Sequence, residues 1–263
     1  MSIQKIEVLY AGYCVNDEKR MFKGAGSKKV IFPAACVLLK HDKEGYVLFD
    51  TGYSCETDSQ KGLVGFLYKK LNPDYIEPEN ELVSILKRKG IAQNEIKTVL
   101  ISHLHPDHIG GLRDFKNASY IISQSAYGVY ENPKMKSLVF KDLFPKDFSE
   151  RVVKISADFR YNDLFPAVYD FFKDGSMLLV PIEGHAKGQM GLYIPEANIF
   201  FAADACWKGE YFGRTKEMRA FPKFLQNNFS EYTETQKWLK DVYQSGIKII
   251  YSHDTALENG SII

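Results

Sequence analysis

Cysteine is scarce in this 263-residue chain, and no two of Cys14, Cys36, Cys55 and Cys206 form a CxxC pair. A chain of this length buries a core without disulfide staples, so reduced thiols in a cytoplasm are the simplest reading. Net charge is nearly absent: 34 Lys and Arg oppose 33 Asp and Glu, a formal +1. That balance gives no electrostatic argument for nucleic acid or a membrane as partner. No apolar run approaches the ~18 residues that a membrane span requires. The opening residues Met1-Ser2-Ile3-Gln4-Lys5-Ile6-Glu7 lack the apolar centre of a signal peptide, so the expected location is the cytoplasm. Repeats at a solenoid period and low-complexity linkers are missing too. One domain, residues 1–263, is the expected organisation.

Aromatic surface is plentiful: eighteen Phe and sixteen Tyr are available to line a core and a pocket. Histidine is concentrated. Of six His, three fall in Ser102-His103-Leu104-His105-Pro106-Asp107-His108-Ile109-Gly110-Gly111. The apolar run before it, Thr98-Val99-Leu100-Ile101, reads as a buried strand. The cluster therefore sits at a strand's carboxyl end, where α/β sheets present ligand-binding loops. Gly110-Gly111 lets the backbone turn tightly afterwards. Imidazole and carboxylate are ligands for zinc and similar divalent cations. His185 and His253 also follow apolar runs. His41 stands apart in a charged turn and is given no role.

In chain order, 6–11 reads as an edge strand. Residues 12–27 read as a polar loop carrying Tyr13, Met21 and Phe22, a candidate wall of a substrate pocket. Residues 30–39 and 45–49 form a strand pair around a turn. The second strand ends at Asp50-Thr51-Gly52, where Asp50 is placed to orient a ligand from behind. A helix over 62–71 carries Leu63, Phe66, Leu67 and Leu71 on one face. Another spans about 79–89, closed by Gly90. Residues 97–102 and 118–123 are strands. Residues 132–174, aromatic and without a strand period, are expected to form an inserted helical hairpin that acts as an apolar lid. Strands at 176–181, 191–194 and 198–202 deliver His185 and Asp204. A helix capped by Ser230 and closed by Gly246 precedes the last strand, 247–251, which ends at Ser252-His253-Asp254. Helices alternating with strands in this way suit a sheet covered by helices.

Four strand ends thus supply seven candidate ligands: His103, His105, Asp107 and His108, then His185, Asp204 and His253. One tetrahedral site takes three or four. Seven suit two adjacent divalent ions, with a carboxylate and a water or hydroxide shared between them. Two cations bring that oxygen's pKa towards ~7 and polarise a carbonyl or phosphoryl oxygen, so no Ser or Cys nucleophile is required.

The HxHxDH stretch, with Asp50-Thr51-Gly52 upstream and Gly184-His185, Asp204 and His253 downstream, resembles the metallo-β-lactamase superfamily over about 50–253. The resemblance implies an α/β fold of four layers, an αββα sandwich with two mixed sheets face to face and the site at one edge. It implies that His103, His105 and His185 hold one metal, that Asp107, His108 and His253 hold a second, and that Asp204 bridges them. Asp107 and Asp204 are the implied catalytic carboxylates, with Asp107 accepting a proton during turnover, and Asp50 orients a ligand. Two zinc ions are the expected cofactor, with Fe, Mn or Co as alternatives. Within the superfamily the chain looks like the N-acyl-homoserine lactone lactonases, which open a lactone ring with the bridging hydroxide. Those enzymes carry a Tyr three residues after the bridging Asp, where this chain has Trp207. An indole N–H donates a hydrogen bond but is no acid. Trp207, Tyr211 and Phe22 are the candidate substrate contacts. A small molecule is the expected substrate, and a homodimer stays open. Rival readings are a glyoxalase II-like thioester hydrolase, a phosphodiesterase of the ribonuclease Z type, a di-iron redox protein and a non-catalytic binding domain.

Overall fold

The apolar runs of the sequence become the strands of two mixed sheets. A computed structural model describes residues 2–60, 62–255 and 262. Its strands are β1 (Ile3–Asp17), β2 (Lys29–His41), β3 (Gly45–Phe49), β4 (Asp74–Tyr75), β5 (Ile96–Leu100), β6 (Ser119–Ser123), β7 (Val152–Ile155), β8 (Tyr169–Asp170), β9 (Leu178–Pro181), β10 (Met190–Ile194), β11 (Ile199–Phe201) and β12 (Lys248–Ile250). Its α-helices are α1 (Glu18–Met21), α2 (Cys55–Asp58), α3 (Gly62–Leu71), α4 (Leu82–Arg88), α5 (Pro106–Ile109), α6 (Gln124–Glu131), α7 (Phe148–Arg151), α8 (Ala220–Leu225) and α9 (Phe229–Gln244).

The first sheet has the order β4-β1-β2-β3-β5-β6-β7 and the second β12-β11-β10-β9-β8. From β3 through β5 and β6 to β7 the pairing is parallel, and β12 joins β11 in parallel. Parallel strands need cover on both faces. That need explains why Val99, Leu100, Tyr120, Ile121 and Ile122 are all buried. One apolar cluster joins the sheets, with Leu38, Val99 and Ile121 from the first and Leu179, Leu192 and Phe200 from the second. On the outside, α4 packs on β1, α6 and α7 on β6, and α9 on β12. The result is the expected four-layer αββα sandwich.

Three local expectations need correction, and one helix turns its apolar face outward. Strand β1 runs on to Asp17, taking in the first six residues of the expected loop, through a register shift between Tyr10 and Tyr13 where Gly12 has φ +79°. Helix α9 is capped by Asn228, whose side chain accepts from the Ser230 and Glu231 N–H groups, so Ser230 is already helical. Residues 132–174 do not form a helical hairpin: β7 extends the first sheet, β8 the second, and the only α-helix there is the four-residue α7. Pro133, Pro145 and Pro166 interrupt any longer helix, and β-branched Val152-Val153 favours a strand. Helix α3 lies where the spacing places it, but its apolar face points outward. Leu63 is 67% and Phe66 64% exposed, while Gly65 and Tyr68 face the core.

Candidate metal centre

Five strand ends meet at one edge of the sandwich. Asp50 follows β3 and the His103–His108 turn follows β5, both in the first sheet. His185 follows β9, Asp204 follows β11 and His253 follows β12, all in the second. After Ser102 the chain enters α5 with Pro106 at its first turn, a position that needs no N–H. Gly184, at φ +119°, precedes His185, and a Cβ there would stand 2.1 Å from the Tyr232 backbone nitrogen. Only glycine lets that loop lie against α9. Two residues at the edge are held in the left-handed region, Asp50 at φ 62° and Ala203 at φ 41°, where strain is stored beside functional groups.

The seven side chains form two groups, His103, His105 and His185 in one and Asp107, His108, Asp204 and His253 in the other, with their ligand atoms within 4.8 Å of one another in each. Each group draws on both sheets. In the first, His105 Nδ1 lies 3.0 Å from His103 Nε2 and 3.0 Å from His185 Nε2. Four ligands around tetrahedral zinc stand about 3.3 Å apart, so this spacing suits a common cation. In the second, His108 Nε2 lies 3.5 Å from Asp107 Oδ2 and 3.4 Å from Asp204 Oδ1, and His253 Nε2 lies 3.3 Å from Asp204 Oδ2. The same Asp204 Oδ2 is 3.4 Å from His185 Nε2 of the first group. His108 Nε2 and Asp204 Oδ1 are buried with no hydrogen-bond partner, the condition a bound cation would relieve.

The other ring nitrogens are pinned from behind. His253 Nδ1 is 2.8 Å from the Pro33 carbonyl, which only accepts, so that nitrogen carries a proton and Nε2 is the atom turned towards the cluster. His185 Nδ1 donates to Gln226 Oε1 at 2.9 Å, and Gln226 Nε2 donates to the Pro222 carbonyl, which fixes the amide's orientation. Asp50 accepts from His108 Nδ1 at 2.7 Å, from the Ser102 N–H at 2.7 Å and from Ser102 Oγ at 2.6 Å. Ser102 Oγ, having given its proton to Asp50, accepts from His103 Nδ1 at 3.0 Å. Asp50 thus bonds His108 directly and reaches His103 through Ser102. Such partners fix tautomer and ring angle in metal sites. The sequence carries no local signal for Gln226 or Pro33, which arrive from 41 and 220 positions away.

The pattern of the Metallo-beta-lactamase superfamily matches residues 31–241. The chain belongs to that superfamily. It is 26% identical to the N-acyl homoserine lactonase AiiA of Bacillus thuringiensis subsp. kurstaki over 267 aligned positions, covering 98% of this chain and 96% of the relative. Among solved structures, an N-acyl homoserine lactone hydrolase with the product N-hexanoyl-L-homoserine at its catalytic metal centre superposes with a TM-score of 0.75 at 23% identity, covering 97% of this chain and 95% of that one. The dizinc lactonase AidC superposes with a TM-score of 0.68 at 17% identity, covering 97% and 91%. These two share the fold. As a member of the superfamily, the chain is a metallo-hydrolase, and its His and Asp groups suit divalent metal ions.

Electrostatics divide the two groups of this metallo-hydrolase. Burial lowers the His103 pKa far below the usual imidazole range, and neighbouring His108 and His105 lower it further. His105 is pushed down to about 3, by burial and then by His185. His185 falls chiefly through burial. All three are neutral, the form in which imidazole binds metal. In the second group burial opposes charge on His108, but the carboxylates of Asp107, Asp50 and Asp204 outweigh it and hold its pKa well above the ordinary value. His253 rises likewise, Asp204 and Asp107 outweighing burial. Burial would raise the Asp204 and Asp107 carboxyls, yet His253 and His108 hold both down. Three buried carboxylates gathered here call for positive charge.

A cavity opens onto both groups. Phe32, Tyr53, Tyr68, Leu71, Trp207 and Phe221 form its apolar wall, with Asn16, Arg20 and Asn72 as polar members. Tyr53 and Tyr68 are buried, their hydroxyls 3.2 Å apart. The Asp107 charge adds to burial in pushing both phenols' pKa up. Trp207 is in the lining. Phe22 and Tyr211 are not. Their rings pack at a tilt, centroids 4.9 Å apart, with Tyr211 also against Phe32, and the Tyr211 hydroxyl donates to Glu18. They support the wall without forming it, because β1 and α1 occupy the stretch expected to be a loop.

Proposed function

We propose that the chain is a dinuclear hydrolase that opens a lactone ring, with an N-acyl-homoserine lactone-like ester as its substrate. The observation that carries this reading is the Asp204 carboxylate, whose Oδ2 stands 3.4 Å from His185 and 3.3 Å from His253. One side chain serves both groups. Near-full-length similarity to a relative named N-acyl homoserine lactonase supports the substrate class. In this reading His103, His105 and His185 would hold one cation, Asp107, His108 and His253 the other, and Asp204 would serve both, with zinc the metal that this nitrogen and oxygen donor set suits. Bound cations supply a Lewis acid for the ester carbonyl and lower the pKa of water towards ~7.

The chain's own groups do the rest. Asp50, Ser102, Gln226 and Pro33 keep four ligand rings turned inward. Asp107 takes the proton released as water adds to the carbonyl carbon, and returns it to the ring oxygen as the carbon–oxygen bond breaks. Tyr68, paired with Tyr53, is placed to donate a hydrogen bond to a substrate oxygen. Phe32, Leu71 and Trp207 exclude bulk water from the reacting ester. Leu138 is the one lining residue from 132–174, which supports a covering role for the start of that segment.

Two measurements test the reading together. Elemental analysis of the purified chain is expected to find about two divalent ions per chain. A panel of lactones, thioesters and phosphodiesters is expected to show the lactones hydrolysed fastest. Turnover of either other class with lactones untouched would move the chain to another branch of the superfamily.

A further inference from the structure

Seven of the fourteen large apolar side chains exposed among the described residues come from three segments. Helix α3 shows Leu63, Phe66, Leu67 and Leu71 to solvent, 133–141 shows Met135, and α8 shows Phe221 and Phe224. The three segments are neighbours. The Phe140 ring lies 5.6 Å from that of Tyr68 on α3, and Lys136 Nζ lies 4.9 Å over the Phe224 ring on α8. All three also line the same cavity, through Tyr68, Leu138 and Phe221. They form an apolar rim around its mouth.

Within the three segments themselves the formal charges are of one sign, with Glu131, Asp142, Glu217 and Glu231 flanking them. Residues 62–71, 133–141 and 219–229 carry Lys69, Lys70, Lys134, Lys136, Lys141, Arg219 and Lys223. They contain no Asp or Glu, in a chain where 33 of 263 residues are acidic. The overall charge of +1 conceals this segregation.

We infer that this rim docks on an anionic lipid surface, with the cavity mouth turned towards the bilayer. Exposed Phe and Leu interleaved with Lys and Arg are the composition that lies in a headgroup layer, apolar groups inserted and cations against anionic lipid. Exposed large apolar side chains gathered around a cavity mouth mark an interaction surface. A second copy of the chain is the poorer occupant, because a two-fold contact would set these cations against their own equivalents. The inference goes beyond the hydrolytic reading and its test does not depend on turnover. It places the site where an amphiphilic substrate enters directly from a membrane.

The purified full chain is sedimented with vesicles of phosphatidylcholine alone or mixed with phosphatidylglycerol. Binding to the anionic vesicles is expected to be at least about tenfold tighter, and to weaken as salt is raised. Phe66→Ser combined with Phe224→Ser, both exposed and outside the cavity lining, is expected to abolish binding while leaving circular dichroism and Tm unchanged. Lys70→Glu combined with Lys134→Glu is expected to remove the preference for anionic lipid. No sedimentation with anionic vesicles, or binding that neither pair alters, would overturn the inference. So would gel filtration showing a dimer that the Phe66→Ser and Phe224→Ser pair dissociates, which would assign the face to a second copy.

Discussion

Asp50→Asn is the most informative single change, because it keeps the shape of the site and alters only its hydrogen bonding. Asp50 accepts three hydrogen bonds, one on Oδ1 from the Ser102 N–H and two on Oδ2 from Ser102 Oγ and His108 Nδ1. An amide has one acceptor oxygen and one donor nitrogen. With its oxygen towards the Ser102 N–H, the new NH2 group faces the His108 Nδ1 proton. His108 Nδ1 then opposes a second buried donor, and could escape only by carrying its proton on Nε2, the atom a cation would need. With the amide reversed, the NH2 group opposes the Ser102 N–H instead. Either arrangement leaves a buried donor unpaired, at about 1–3 kcal/mol. That range matches the ~10–100-fold loss in metal affinity or activity typical of such orienting partners. The assay is metal retention under a chelator titration, with kcat/KM on a lactone measured in excess metal. Retention and kcat/KM both within about twofold of the parent would refute the orienting role of Asp50.

Tyr68→Phe keeps the ring packed on Phe140 but removes the hydroxyl paired with Tyr53. We expect kcat/KM on a lactone to fall about tenfold or more, with metal content unchanged; unaltered steady-state kinetics would remove Tyr68 from the reaction. Gly184→Ala would push a methyl group against the Tyr232 backbone and displace His185. Reduced metal content and Tm should follow, read by elemental analysis and calorimetry. Asp204→Ala should release ions from both groups and abolish hydrolysis; full activity would rule out its shared position. Asp114 offers a test by pH. Burial, helped by Glu81, pushes its carboxyl up to about 6 in the folded chain. The folded state therefore holds a proton that the unfolded state releases near 4, so stability falls as pH rises from about 4 to about 6 and then levels off. Asp114→Asn should raise stability at pH 8 by ~1 kcal/mol, after discounting for partial exposure, and by nothing at pH 4. Thermal melts at both pH values decide it.

The sandwich and the seven ligand-capable residues were legible because each lies just past an apolar run, and chain direction then places every such end at one edge. Residues that act through space alone were not legible. Gln226 and Pro33 carry no motif, and Ser102 reads as an ordinary strand-end serine until Asp50 is seen against it. The periodicity of α3 was read correctly, yet a stripe of Leu63, Phe66 and Leu67 says only that one face is apolar, not which face the core covers. Residues 132–174 misled for a related reason. Their strands, β7 and β8, are four and two residues long, too short for alternation to register.

Each ligand group takes two members from one sheet and the remainder from the other. Ions bound there would therefore fasten two slabs along a single seam, quite apart from any reaction they promote. A chelator should loosen that seam before it disturbs the apolar interior, so amide exchange would quicken first at the ends of β5, β9, β11 and β12. Survival of the chain against proteolysis would then track metal supply, with starved molecules opening at the seam and being degraded.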